Sequence, residues 1–326
     1  MTTIVTGAAG FIGFHVSRAL LARGERVVGL DNLNAYYDVA LKKARLKRLE
    51  ESSGFSFVRA DIADGTELAR GLEAARGFQR MVHLAAQAGV RYSLENPQAF
   101  AQSNLVGHLN ILELCRHAEA LDHLVYASSS SVYGRGAMIP FSVEQPVDTP
   151  VSLYGATKRA DELMAHAYSH LFRLPATGLR FFTAYGPWGR PDMAAYKFTR
   201  AILAGEPIRV FNNGDMRRDF TYIDDVVDGV LAVLDGPPKA AGEAPPCRVY
   251  NIGNNRPEAL LDYIAVIERT LGKKAEIKFE PMQPGDLKET SADIGPLRRD
   301  FGYSPKVTIE EGVPRFIAWY RDYHGV

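Results

Sequence analysis

TGAAGFIG, residues 6–13, sets Gly7, Gly10 and Gly13 at three-residue intervals between two apolar runs. The run before, TIVTG (3–7), reads as a buried strand, and the run after, 11–23, reads as an amphipathic helix. Small residues at such a junction have distinct tasks. One glycine makes the tight turn, one lets backbone N–H groups approach a pyrophosphate at the helix N-terminus, and one lets helix and strand pack closely. Eighteen residues beyond Gly13, the run RVVGLD (26–31) ends at Asp31. A carboxylate there accepts hydrogen bonds from both adenosine ribose hydroxyls and repels a 2′-phosphate, which favours NAD over NADP. Phe11, Ile12 and Asn32 fall on the same expected cofactor surface.

The alternation continues. Strands are expected at FSFVRA (55–60), RMVHLAA (80–86), HLVYAS (123–128) and ATGLRFF (176–182), with helices near 36–52, 65–75, 98–119 and 153–172. This rhythm predicts a Rossmann-type α/β fold, a doubly wound parallel sheet with helices on both faces. Asp61 and Ile62 end the third strand, Leu84, Ala85 and Ala86 end the fourth, and Asn104 lies in the next helix; all are expected to line the cofactor. Asp61 has two readings, an acceptor for the adenine amino group or a helix N-cap. Beyond Phe182 the rhythm breaks at GPWGRPD (186–192), and GPPKAAGEAPP (236–246) reads as a solvent-facing insertion. The expected division is an NAD-binding domain over 1–182, possibly rejoined by 222–253, and a smaller α/β substrate domain over 183–326.

Composition excludes several classes. Lys+Arg and Asp+Glu both number 38 in 326 residues, so no overall charge points to nucleic acid or a membrane surface. Cys115 and Cys247 are too few for a disulfide framework or a cysteine metal cage. His15 and His83 lack partners at ligand spacing, and Asp224-Asp225 reads as a helix start, so no metal is expected. No apolar run reaches the roughly 18 residues of a membrane span. The sequence begins inside a strand, leaving no room for a signal peptide, and a soluble cytoplasmic protein is the expectation.

Two stretches carry chemistry. YASSSSVYG (126–134) ends a strand in four serines, and SLYGATK (152–158) opens a helix with Tyr154 and Lys158 at i and i+4, on one face. A phenol is a poor base at its reference pKa of about 10. A neighbouring ammonium favours the phenolate and lowers that value.

Together, the glycine loop, the serine strand end and YxxxK resemble the extended short-chain dehydrogenase/reductase superfamily over essentially the whole chain. The resemblance implies Ser129, four residues before Tyr133, as the catalytic hydroxyl beside Tyr154 and Lys158. DNLNAYYD (31–38), HLAAQAGVRYSLENP (83–97), LRFFTAYGPWGRPDMA (179–194), RRDFTYIDD (217–225) and MQPGD (282–286) are similar to the UDP-glucuronate 4-epimerases within it. Related UDP-galactose epimerases carry Asn near Thr183 and Arg near Gln283, and these departures point to a uronic acid sugar. By this resemblance Arg218 meets the diphosphate, Asp286 the uridine ribose, and Arg190 either phosphate or carboxylate. Arg91 either borders the sugar or lies on the surface, and Arg217 faces solvent.

Ser130, Ser131 and Thr183 are the expected carboxylate clamp, although Ser131 can equally satisfy backbone at the strand end. A homodimer through a four-helix interface is also implied, drawing on Phe100, Val106, Leu109, Leu112, Leu163, Met164 and Leu171, with burial of that face under the second domain as the competing account. Competing readings are a neutral UDP-hexose 4-epimerase, a UDP-glucuronate decarboxylase and an NAD-sensing scaffold without catalysis.

Overall fold

Strand and helix alternate from the N-terminus in a computed structural model that describes residues 1–326. The first elements are β1 (Thr2–Thr6), α1 (Phe11–Ala22), β2 (Arg26–Asp31), α2 (Val39–Glu50), β3 (Phe55–Arg59), α3 (Gly65–Gly71) and β4 (Arg80–His83). Then come α4 (Tyr92–Glu95), α5 (Pro97–Phe100), α6 (Gly107–Arg116), β5 (His123–Ser129), α7 (Leu153–Phe172) and β6 (Ala176–Phe181). The remainder comprises β7 (Thr183–Tyr185), α8 (Ala194–Ala204), β8 (Ile208–Phe211), β9 (Arg217–Tyr222), α9 (Ile223–Leu234) and β10 (Cys247–Ile252). It closes with β11 (Pro257–Ala259), α10 (Leu260–Leu271), β12 (Ile277–Glu280), α11 (Gly295–Phe301) and α12 (Ile309–His324).

Seven strands form one sheet in the order β10-β6-β5-β4-β1-β2-β3. Every pairing in it is parallel. The order reverses between β1 and β4, and at such a switch point the loops leaving the carboxyl ends diverge and open a crevice. β10 arrives from beyond α9, which packs on α1. Two small sheets, β11-β9-β7 and β12-β8, stand apart from the large one.

Three helices differ from their expected spans. The 36–52 helix starts only at Val39, because Asp38 caps it by accepting from Ala40 N at 2.8 Å. Ahead of it, Asp31, Asn32 and Asn34 each accept from a backbone N–H two residues on, bending the chain into consecutive turns. The 65–75 helix gives way after Gly71 to a short turn at Glu73–Ala75. The 98–119 helix is interrupted by a π segment, Ala101–Val106. Asn104, inside it, exchanges two hydrogen bonds with the Gln87 backbone and donates to Thr157 Oγ1 at 2.9 Å.

A buried charge cluster ties β5, β6 and α7 together. Glu162 on α7 accepts two bonds from Arg180 on β6, at 2.8 and 2.9 Å, and one from Ser128 Oγ at 2.6 Å. Arg159 reaches the same carboxylate from the rim at 3.1 Å. Burial works to raise the Glu162 carboxyl, but Arg180 outweighs it and holds the group below its ordinary value. Removing one partner of such a pair leaves an uncompensated buried charge. Arg180→Met is therefore expected to destabilise the chain by about 3–5 kcal/mol in denaturant titrations. Arg159→Met, at the rim, should cost about 1 kcal/mol or less.

Candidate active site

The glycine loop leaves β1 through Gly7, whose φ of +71° is a left-handed turn that suits glycine. Gly7 N donates to Leu30 O at 2.7 Å, anchoring the loop to β2. A Cβ at Gly13 would stand 2.1 Å from the Gly7 carbonyl oxygen, so α1 rests directly on the loop. At the end of β2, Asp31 is buried and accepts from Leu33 N at 2.8 Å. Burial pushes its carboxyl up, and Lys42 opposes that rise. Asn32 Nδ2 donates to Asp61 Oδ2 at 2.9 Å, which settles Asp61 at the crevice. The N-cap alternative for Asp61 falls to Asp64, which accepts from Thr66 N and Glu67 N at the start of α3.

Across the crevice, β5 ends in the serines. Ser128 turns inward to Glu162, while Ser129 Oγ accepts from Ser131 N at 3.2 Å and so caps the single 3-10 turn Ser130–Val132. The start of α7 lies against this turn: a Cβ at Gly155 would be 2.3 Å from Ser131 O. Ser152 caps α7, accepting from Gly155 N at 3.0 Å. Tyr154 follows in the first turn, edge-on to Phe100 at 6.0 Å. Lys158, one turn later, is buried and donates to Asp161 Oδ2 at 3.0 Å.

The third wall carries charge. Arg190 makes a two-pronged pair with Asp192, at 2.9 and 2.5 Å, and Tyr36 OH donates to the same carboxylate at 3.1 Å. Arg190 is thus already neutralised within the chain. Arg218 spends guanidinium donors on the carbonyls of Arg217, Leu287 and Lys288. Arg91 pairs with Asp286 at 2.8 Å and stacks on Phe211 at 4.2 Å, joining the 89–91 turn to the 281–290 loop. Arg217 pairs loosely with Glu289 at 3.8 Å and donates to Pro257 O.

These walls enclose one cleft of about 880 Å³. It brings together Gly7, Gly10, Phe11, Ile12, Gly13, Asp31, Asn32, Asp61, Ile62, Leu84, Ala85 and Ala86 with Ser129, Ser130, Ser131, Tyr154 and Lys158. Thr183, Arg190, Arg218, Arg91 and Asp286 complete it. Asn104 is outside the lining, because its side chain is committed to Gln87 and Thr157 behind the wall.

A match to the NAD dependent epimerase/dehydratase family spans residues 3–253. The chain belongs to this family. It is 47% identical over 335 residues to UDP-glucuronate 4-epimerase 1 of Arabidopsis thaliana, covering 100% of this chain and 78% of that one. It is 46% identical to a probable UDP-glucuronate 4-epimerase of Rhizobium meliloti, over 98% and 97% of the two chains. The crystal structure of UDP-glucuronic acid 4-epimerase from Bacillus cereus, in complex with UDP-glucuronic acid and NAD, superposes with a TM-score of 0.90. That protein is 36% identical, and the match covers 99% of this chain and 100% of that one.

In this family member the residues fit NAD. A Cβ at Gly7 would stand 2.8 Å from Ala85 N, so a glycine is what lets the loop lie against the chain leaving β4, where Leu84, Ala85 and Ala86 line the same cleft. Asp31 places a carboxylate at the end of β2, on the lining of the same cleft. Sequence reasoning missed Asp192, Tyr36, Lys197 and Arg200, which also line the cleft. It also missed Asp161 and Glu162 behind the wall. The Arg-Pro-Asp spacing at 190–192 was a usable signal for the Arg190 pair. His15 bonds to Pro187 O and His83 to Thr6 Oγ1, both within the packed interior of the chain.

Proposed function

We propose that this chain is an NAD-dependent epimerase that converts UDP-glucuronate to UDP-galacturonate at C4, through a 4-keto sugar and without decarboxylation. The observation that carries the reading is a set of neutral hydroxyls, Ser129, Ser130, Ser131 and Thr183, lining one cleft with Tyr154 and Lys158. The likeness to proteins named UDP-glucuronate 4-epimerase supports it. Residues 1–182 with 222–253 bind the cofactor, and 183–326 supply most of the UDP-sugar contacts.

Tyr154 takes the O4 proton and later returns one to the opposite configuration. Ser129 donates a hydrogen bond to O4 and keeps its proton, since only an acceptor site of its oxygen is used by Ser131 N. Lys158 supplies the positive charge that favours the phenolate. Bound NAD accepts a hydride from C4 and gives it back. The oxidised sugar is a β-keto acid, which loses CO2 when the bond to its carboxylate aligns with the carbonyl π system. Ser130, Ser131 and Thr183 hold the carboxylate out of that alignment with neutral donors. Ser129 already caps the turn, which leaves the neighbouring serine hydroxyls for substrate. Arg218 takes the diphosphate and Asp286 the uridine ribose, with Arg91 holding Asp286 in place.

The protein works in the cytoplasm as a homodimer. Val106 and Leu109, before and within α6, and Leu163, Leu171 and Phe172 on α7, are 39%, 40%, 54%, 67% and 45% exposed, an apolar face suited to a second copy. Phe100 and Leu112 drop out of the expected interface, because both are fully buried within the subunit.

Purified protein should turn over UDP-glucuronate far faster than UDP-glucose, and Tyr154→Phe should lose at least about 100-fold in kcat. Turnover of UDP-glucose alone would overturn the substrate assignment. Ser130→Glu or Ser131→Glu should raise the share of CO2 and pentose product, and an unchanged share would remove the clamp. Light scattering should give twice the 35.9 kDa chain mass, and a monomer would remove the four-helix interface.

A further inference from the structure

Lys158 is held by a carboxylate that the reaction as described does not use. Its Nζ donates to Asp161 Oδ2 at 3.0 Å, and the two side chains are 3% and 1% exposed. The second oxygen of Asp161, Oδ1, is buried with no hydrogen-bond partner. Every other charge or titratable group facing the pair is either neutral or already matched. From α6, His108 is pushed down to about 3 by burial and then by the Lys158 charge. His83 on β4 stacks on His108 at 5.3 Å and is also held neutral, first by burial. Tyr126 on β5 is pushed well up by burial. On α7 itself, Glu162 is taken by Arg180 from β6 and by Arg159. Asp161 is left as the one counter-charge paired with Lys158. Burial pushes its carboxyl up to about 6 against the pull of that lysine.

We propose that Asp161 is a positioning residue that fixes the Lys158 ammonium one helical turn from Tyr154 and offsets part of its charge. The inference rests on Tyr154 as the base. A carboxylate at 161 weakens the positive field that stabilises a phenolate, and an amide at 161 keeps the hydrogen bond while removing the negative charge. Asp161 thereby sets the pH range in which Tyr154 can accept a proton.

The test reads ionisation directly. The ultraviolet phenolate absorbance of the full chain, minus that of the same chain carrying Tyr154→Phe, isolates Tyr154 across a pH titration with no sugar present. Asp161→Asn should move that titration to lower pH by about one unit. Asp161→Glu, which restores the charge, should titrate with the parent. Should Asp161→Asn fail to fold, Asp161→Ser also removes the charge and carries the same expectation. A titration unmoved by loss of the charge, or one moved as far by Asp161→Glu as by Asp161→Asn, would overturn the proposal. The two readings fail separately. Epimerisation by Tyr154→Phe would reject the base, whereas an inactive Tyr154→Phe with an unshifted Asp161→Asn would reject only the role of Asp161.

Discussion

The catalytic wall depends on one buried carboxylate. Glu162 gathers Arg180 from β6 and Ser128 from β5 onto α7, so strand end and helix cannot slide past one another. A charge pair at this depth contributes little net stability once desolvation is counted, and its effect is to make any other arrangement costly. Arg180 also stacks on Tyr133 at 4.8 Å, and Tyr133 OH donates to Asn251 on β10. The close approach of Gly155 to Ser131 O then sets the serine turn against the first turn of α7. Ser129 and Tyr154 reach the same cleft because of this chain of contacts, not because of their own hydrogen bonds.

Charge in the cleft is partitioned. Arg190 with Asp192, and Arg91 with Asp286, are matched pairs at 2.5 and 2.8 Å. Lys158 is matched from behind by Asp161. The hydroxyls of Ser129, Ser130, Ser131 and Thr183 line the same cleft. On the proposed reading these hydroxyls suit the task, since neutral donors can hold a carboxylate without offering an acid to the decarboxylation path. The cofactor half follows different rules, with backbone N–H groups and one carboxylate reading a dinucleotide.

Local patterns were legible in the sequence; long-range partners were not. Gly7, Gly13 and Asp31 are fixed by the geometry of a single strand-turn-helix unit, and that unit is written contiguously. The parallel sheet followed from alternation alone, and the shorter α2 follows from Asp38, a capping residue visible in the sequence. The π segment was not legible, because Asn104 is diverted by partners 17 and 53 residues away. Helical periodicity contains no signal for such a bond. Glu162 and Arg180, 18 residues apart, were hidden for the same reason. The pairing of Arg190 with Asp192 was not read either, because the sequence shows both charges but not the geometry that joins them.

The central claim is oxidation and reduction at C4 with the carboxylate retained, and an isotope label tests it most directly. UDP-glucuronate carrying deuterium at C4 should yield UDP-galacturonate with the deuterium still at C4, all six sugar carbons present and no solvent hydrogen at C5. Loss of the C4 label to solvent, exchange at C5, or a pentose product would contradict the account.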